Sequence, residues 1–292
     1  MNQRASSVGE LAVGVLAREA EGELTRVFER SAYVKAGDEF IVLLWGGLRS
    51  PITINLGRAV AKPLKVGERC ALSTGRVAFD SLTIDVGRAQ VYKSVLRERR
   101  GTRKPPASSL VRGVSFLRAL YDASPSGLSL ASDVELRRFA LKTLSSLAAG
   151  REDSIRSFDS YLALIGRGEG FTPAGDDFVG GLLSTYNYIA RCNGSREILF
   201  PLRRLRHRTI PESAALLTYA SKGYVDEGVA SLVLKTLSGS SEFTDELLTV
   251  ARRGHTSGLD MSLGILLVEA ALSDSASGGR ALERCLQVLW HW

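Results

Sequence analysis

The chain is predicted to be an α+β protein. An N-terminal antiparallel β barrel or sandwich, with a short leading helix and a basic linker, is expected over residues 1–104, and a larger α-helical domain over residues 105–292. Three observations predict this. From Gly22 to about Val91, short runs rich in β-branched and aromatic residues alternate with turn signals at Gly37-Asp38, Gly46-Gly47, Gly67-Glu68, Gly75 and Gly87. Lys93 to Ser109 is basic and contains Pro105-Pro106, the composition of a boundary segment. Beyond it, apolar residues recur at three- and four-residue spacing.

Taken in order, Ser7 to Ala20 reads as the leading helix, with Leu11, Val15 and Leu16 on one side and Ser7 with Glu10 as a capping box. Strands are predicted at Leu24–Val34, Glu39–Trp45, Ile52–Leu56, Arg69–Ser73, Arg76–Phe79, Leu82–Val86 and Ala89–Tyr92, short and closely spaced as in a small barrel. Their polar residues alternate with apolar ones as a solvent face does, so no catalytic constellation is expected there. Helices are predicted at Val111–Tyr121, at Val134–Leu147 with Gly150 as its C-cap, and at Ser154–Ile165. Further helices are expected at Gly175–Arg191, Glu197–His207, Pro211–Ser221, Val225–Leu237, Thr244–Arg253, Gly258–Leu272 and Arg280–Trp290.

Composition excludes several classes of function. No apolar run reaches the ~18 residues of a membrane span, and the start lacks a basic region followed by an apolar one, so neither membrane insertion nor secretion is expected and the chain is assigned to the cytoplasm. Cys70, Cys192 and Cys285 are odd in number and lack C-x-x-C spacing, which argues against a disulfide framework or a zinc site. The net charge is +7, but it is spread. Its densest run, Arg97, Arg99, Arg100, Arg103 and Lys104, precedes Pro105-Pro106 and reads as a solvated linker. Without interleaved aromatics as a stacking platform, nucleic-acid binding is not expected.

Function is sought in Gly166 to Leu183, G-R-G-E-G-F-T-P-A-G-D-D-F-V-G-G-L-L. Alternate glycines Gly166, Gly168 and Gly170 let the backbone turn back on itself, and Thr172-Pro173 announces a helix start. The plain reading is a capped helix whose Asp176 and Asp177 offset its dipole, worth ~0.3–1 kcal/mol per charge. A second stretch, His255 to Leu267, weighs against that reading: Gly175-x-Asp177-x-x-x-Gly181 lies on Gly258-x-Asp260-x-x-x-Gly264, and each follows a threonine, Thr172 or Thr256. Two Asp-bearing helix starts with adjacent glycines suggest two walls of one site. In that frame Asp177 pairs with Asp260 and Asp176 is the plainer cap. Thr209 and Ser213, around Pro211, either cap the following helix or form a third wall.

Amides converging at a helix N-terminus favour an anionic ligand, with Gly166, Gly168, Gly170, Thr172, Gly175, Asp176 and Gly258 as candidate contacts and Arg167 adding a charge-assisted one. The P-loop and G-x-G-x-x-G patterns are both absent. Carboxylates beside an anion need an offset: either Asp177 and Asp260 hold a divalent cation, with magnesium the candidate ion, or the ligand also offers N–H donors. His255, Asp177 and Asp260 are the candidate catalytic residues, with His255 as acid, base or carbonyl polariser. Thr256 and Ser257 complete the second wall. No Ser-His-Asp or Cys-His arrangement stands out, so covalent catalysis is not expected.

G-R-G-E-G-F-T-P-A-G-D-D-F-V-G-G, the T-x-x-x-S of Thr209 to Ser213 and G-H-T-S-G-L-D-M-S-L-G together resemble the family of the AllH-like subunit of oxamate carbamoyltransferase. The likeness is close over most of the helical half and extends to the β half only in layout. It implies AllF-like and AllG-like partner subunits and the terminal step of anaerobic allantoin breakdown, in which oxalurate and phosphate give oxamate and carbamoyl phosphate. A small anionic substrate of that kind, carbamoyl phosphate, phosphate, oxamate or an oxalurate-like molecule, is therefore expected. This sequence departs from the pattern in Ala174, where the family has Ser, in Phe171 for Leu, and in Arg167 and Glu169. Two classes of function follow: a subunit for carbamoyl transfer, or a non-catalytic subunit that binds a small metabolite or serves as a scaffold.

Overall fold

The structure is a computed structural model and describes residues 2–57, 64–97, 101–123, 132–168 and 170–290. Arg99 and Arg100 of the basic linker and Glu169 of the glycine loop lie outside these. The chain divides into two compact units, residues 1–95 with Tyr224–Glu227, and residues 96–223 with 228–292. The N-terminal sheet and the helical region make the protein α+β, as the composition of the two halves predicts.

The first unit is a ten-stranded sheet. Its strands are β1 (Asn2–Arg4), β2 (Ser7–Gly9), β3 (Glu21–Val27), β4 (Ser31–Ala36), β5 (Glu39–Leu44), β6 (Thr53–Asn55), β7 (Arg69–Ser73), β8 (Arg76–Phe79), β9 (Thr83–Asp85) and β10 (Gln90–Tyr92). They run in the order β1-β9-β8-β7-β3-β4-β5-β6-β2-β10. β1 and β2 are separated only by Ala5 and Ser6 yet stand at or next to opposite ends of that order, so the sheet must curl until both ends reach the same short segment. Ala5 N–H donates to Asp85 O (2.9 Å) on one side and Ser6 N–H to Asn55 O (2.8 Å) on the other. The interior is apolar, built on Leu24, Val34, Ile41, Leu43, Ile54, Val77 and Ile84.

Three details differ from expectation. The sheet is mixed, because β1–β9, β2–β10 and β5–β6 pair in parallel. The predicted run Leu24–Val34 is two strands of a hairpin, β3 and β4. The leading helix is shorter, α1 (Glu10–Leu16), since Ser7–Gly9 is strand. No Ser7–Glu10 capping box forms. The carbonyl of Pro51 accepts from the first amides of α1, Leu11 N (2.9 Å) and Ala12 N (3.1 Å), while Ser7 accepts from Asn55 Nδ2 (2.8 Å). Gly9 permits this approach, because a Cβ there would lie 2.1 Å from Pro51 O.

The second unit is helical: α2 (Ala107–Asp122), α3 (Val134–Phe139), α4 (Ser145–Ala148), α5 (Asp153–Arg156), α6 (Ala174–Asn193), α7 (Leu202–Leu205), α8 (Pro211–Ser221), α9 (Glu227–Thr236), α10 (Thr244–Ala251), α11 (Ser257–Ser277) and α12 (Ala281–Trp290). A π turn, Ala140–Leu144, joins α3 to α4. Two predicted helices are interrupted. Ser154–Ile165 breaks after α5, where Ser157 turns extended and a 3-10 turn, Phe158–Tyr161, follows. Glu197–His207 is helical only at α7. Ahead of it the backbone is claimed from outside: Asn187 accepts from Ile198 N and donates to Ile198 O, both 2.7 Å, and Phe200 N donates to Ser221 Oγ (3.2 Å). Among the described residues no helix is long and apolar enough to cross a membrane.

At the centre of this unit α6 and α11 cross, both buried almost all round, α6 with Asp176, Asp177, Ser184, Thr185 and Asn187 among its buried residues. A Cβ at Gly181 would sit 2.1 Å from Met261 O, and one at Gly264 would sit 2.1 Å from Phe178 O. The contact is reciprocal, because Phe178 and Met261 occupy the same place in the two echoed motifs. Gly180 faces ordinary van der Waals space, its nearest neighbours being Met261 Cε at 3.8 Å and Leu217 Cδ2 at 3.9 Å. Gly181→Ala and Gly264→Ala should each therefore lower stability by about 3 kcal/mol or more, since a backbone carbonyl cannot yield as a side chain does. Gly180→Ala should be neutral or stabilising, within about 1 kcal/mol. Urea midpoints of the three variants check this, and equal midpoints for Gly180→Ala and Gly181→Ala would refute the close crossing.

Candidate functional site

The loop before α6 is built by its glycines. Gly166, Gly168 and Gly170 all have positive φ, +78°, +102° and +108°, where other residues are strained. Gly166 is fixed by space as well, because a Cβ would fall 1.9 Å from Arg208 O. α6 then begins behind Pro173 with no side-chain cap.

Asp176 is not a cap. Its Oδ1 accepts from Gly166 N–H (2.8 Å) and its Oδ2 from the Thr209 hydroxyl, so it bolts the start of the loop to the segment before α8. Burial raises its pKa, against the pull of those two bonds and of Ser213. The buried Ser213 hydroxyl faces the same carboxylate closely enough to favour its charge, but makes no hydrogen bond of good geometry among the described residues. Gly166, Asp176, Thr209 and Ser213 are thus brought together, as a lock on the loop.

A second cluster joins the two motifs. Thr172 Oγ1 donates to Asp177 Oδ2 (2.9 Å) and lies 3.0 Å from Ser257 Oγ, so the starts of α6 and α11 meet hydroxyl to hydroxyl. Asp177 is 8% exposed and Asp260 0%. Burial pushes the Asp177 pKa well up; Ser257 and Thr172 pull it down, and the charges of Asp260 and Asp176 push it further up. Asp260 is raised to about 7, chiefly by burial, with Tyr121 and Thr256 opposing. Tyr121, at the end of α2, donates its hydroxyl to Asp260 Oδ1 (2.8 Å). The Thr256 side chain lies near enough to favour the charged form, but Asp260 Oδ2 makes no hydrogen bond of good geometry among the described residues. The floor of this cluster is therefore two buried carboxyls, Asp177 feeling the charge of Asp260 and Asp260 carrying an orphaned oxygen, beside the partly buried hydroxyls of Thr172 and Ser257.

Other candidates lie apart from these contacts or have packing duties. Arg167 points away from its own loop into an ion pair with Asp133, which also caps α3 by accepting from Glu135 N (2.7 Å). His255 is exposed on the turn before α11, and no hydrogen bond orients it among the described residues. Gly175 and Gly258 let each helix start lie on the preceding turn, since a Cβ at either would meet Leu164 O or Val250 O at 1.9 Å. Sequence reasoning missed Tyr121, which lies 139 positions from Asp260 and sits on an ordinary amphipathic helix. Asp133, ahead of Glu135, carried a readable capping signal. Among the described residues no group of three or more His, Cys, Asp or Glu is arranged to hold a metal ion.

Comparison with known proteins supports one reading of this segment. Residues 164–269 match the family model described as oxamate carbamoyltransferase subunit AllH, a span containing the glycine loop, both motif helix starts and their crossing. The match supports an AllH-like family. No curated protein and no solved structure matches the chain.

The buried carboxyls predict an inverted pH dependence. Asp260 rises from 3.8 to about 7, and Glu269, buried further along α11 beside Thr236, from 4.5 to about 8. The folded state holds protons that the unfolded chain has already released, so stability falls as pH rises through those windows. Asp260→Asn keeps an acceptor for Tyr121. It should be more stable than wild type at pH 8, by on the order of 3 kcal/mol, and should lose that advantage on going down to pH 4. Urea denaturation at the two pH values decides it, and an unchanged difference would mean that Asp260 is not strained.

Proposed function

We propose that the helical unit binds a small anionic ligand bearing a carbamoyl or phosphate group where α6 and α11 begin, and that the chain works as a subunit of a carbamoyl-transferring enzyme. Oxalurate and phosphate going to oxamate and carbamoyl phosphate, or a related small-anion reaction, is the chemistry in view. The observation that carries the reading is Asp260 Oδ2, an acceptor with no partner among the described residues and no exposure, next to Asp177 and beneath the Thr172–Ser257 contact. An acceptor left unpaired in the interior is costly, and an N–H donor from a ligand relieves it.

In this reading the anionic end rests on the loop amides around Gly168, Gly170 and Thr172, at the positive end of the α6 dipole. The carbamoyl NH2 parts the Thr172–Ser257 hydroxyls and donates to Asp260, leaving the reacting carbonyl beside Ser257 and His255. Transfer balances without a redox step. A phosphate oxygen bonds to the carbamoyl carbon, the bond from that carbon to the oxamate nitrogen breaks, and the electron pair leaves with the nitrogen. The proton of hydrogen phosphate ends on that nitrogen. Asp177 and Asp260 are also the residues that would hold magnesium, but Mg2+ keeps several waters and an Asp260 with no exposed surface has no room for them, so the N–H donor fits better.

The family description names a subunit, and AllF-like and AllG-like chains are the partners the resemblance implies, in the cytoplasm. One observation favours a second reading. Among the described residues no carboxylate hydrogen-bonds to His255 to orient it, which suits a subunit that binds the metabolite without turning it over.

Calorimetric titration with carbamoyl phosphate, inorganic phosphate and oxamate, with and without magnesium, tests the site. At pH 8, above the Asp260 pKa of about 7, Asp260→Asn should weaken the two NH2-bearing ligands by about tenfold, the worth of one hydrogen bond to a charged group, and leave inorganic phosphate within about twofold. If Asp177→Asn and Asp260→Asn both leave every response untouched, the shared site is wrong.

A further inference from the structure

The two helix starts are built alike beyond their sequence. Arg167 N–H donates to Leu164 O (3.0 Å) and Arg253 N–H to Val250 O (3.0 Å); Gly175 N–H donates to Arg167 O (2.8 Å) and Gly258 N–H to Arg253 O (3.1 Å). One turn on, Asp177 N–H donates to Pro173 O (3.2 Å) and Asp260 N–H to Thr256 O (3.0 Å). With the reciprocal glycine crossing, this makes the pair an approximate two-fold arrangement in which each helix start has a counterpart. A receptor for an anion at one start thus has a partner receptor at the other.

We propose that the two starts are two half-sites that hold two separate anions at once, a phosphate on the loop ahead of α6 and a carboxylate on the turn ahead of α11. The proposal rests on the ligand reading above and adds what occupies each side. Among the described residues, the amides of Gly168, Gly170 and Thr172 on one side donate to no protein acceptor, and neither do those of Gly254, His255 and Thr256 on the other. α6 and α11 are 20 and 21 residues long, so each brings a full dipole to its own set of amides. Between the sets stand Thr172 and Ser257, their hydroxyls 3.0 Å apart, a wedge that keeps one anion from using both. Beneath the wedge the orphaned Asp260 Oδ2 supplies the acceptor for an N–H-bearing group passing between the two anions.

The halves differ in shape, which sets the assignment. Eight positions separate Arg167 from Gly175, but only five separate Arg253 from Gly258. The extra length carries Gly168 and Gly170 at φ +102° and +108°, and a longer turn with two positive-φ glycines suits a tetrahedral phosphate. The tighter turn, with Gly254 at φ +58°, suits a planar carboxylate.

The test is calorimetry with inorganic phosphate and oxamate as probes on the full chain. Oxamate titrated into protein saturated with phosphate should keep its affinity within about twofold, and the reverse titration likewise. If the apparent Kd of oxamate rises in proportion to phosphate, the anions share one place and the two-half-site proposal fails while the single-ligand reading stands. If neither anion binds, both fail. Gly254→Ala should weaken oxamate by at least about fivefold and spare phosphate, and Gly168→Ala should do the reverse, because each strains one positive-φ turn only. Equal effects of either change on both anions would overturn the assignment, and the wild-type competition remains decisive if a variant misfolds.

Discussion

The helical unit depends on one constraint, the approach of two helix backbones to carbonyl distance at Gly181 and Gly264. Interiors pack at the density of organic crystals, so a missing Cβ is a space into which a neighbour's backbone fits. The crossing sets the separation of α6 and α11, and with it the meeting of their starts at Thr172 and Ser257 and the proximity of Asp177 to Asp260. A fraction of an ångström at the glycines would be felt at the carboxyls. The small residues in the motif thus act on the polar cluster indirectly, by fixing the axis about which both helices are placed.

Burying two carboxyls close together works against stability. Proteins tolerate this where a ligand, proton or ion later joins the group. The surrounding bonds look arranged to hold the carboxyls still rather than to neutralise them: Tyr121 takes one oxygen of Asp260, Thr172 one of Asp177, and Asp176 is spent on Gly166 and Thr209. Pre-organisation of this kind leaves the remaining acceptor aimed and rigid.

Much of this was legible in the sequence, for identifiable reasons. The class of the fold followed from period, since β-branched runs punctuated by glycine and long apolar stripes leave few alternatives. That the two Asp-bearing helix starts come near each other was suggested by the echo of glycine spacing, since glycines at matched positions let the two helix backbones approach closely. What stayed hidden depended on distant partners. Strands as short as Asn2–Arg4 have no periodicity of their own and exist through their pairing. Residues 196–200 have helical content, but Asn187 and Ser221 take their backbone groups and they form no helix. Arg167 was read as part of the anion loop, and only the position of Asp133 shows where its charge is used.

The curl of the β unit has a kinetic side. The strand partners of residues 2–9 lie at 54–55, 83–85 and 90–92, so these short strands can take their places only once segments far along the chain are in position. Such pairings across long sequence separation slow folding, because loop closure precedes any gain from contact. Residues 2–9 are therefore the seam of the curled sheet, the place where strands far apart in sequence are joined.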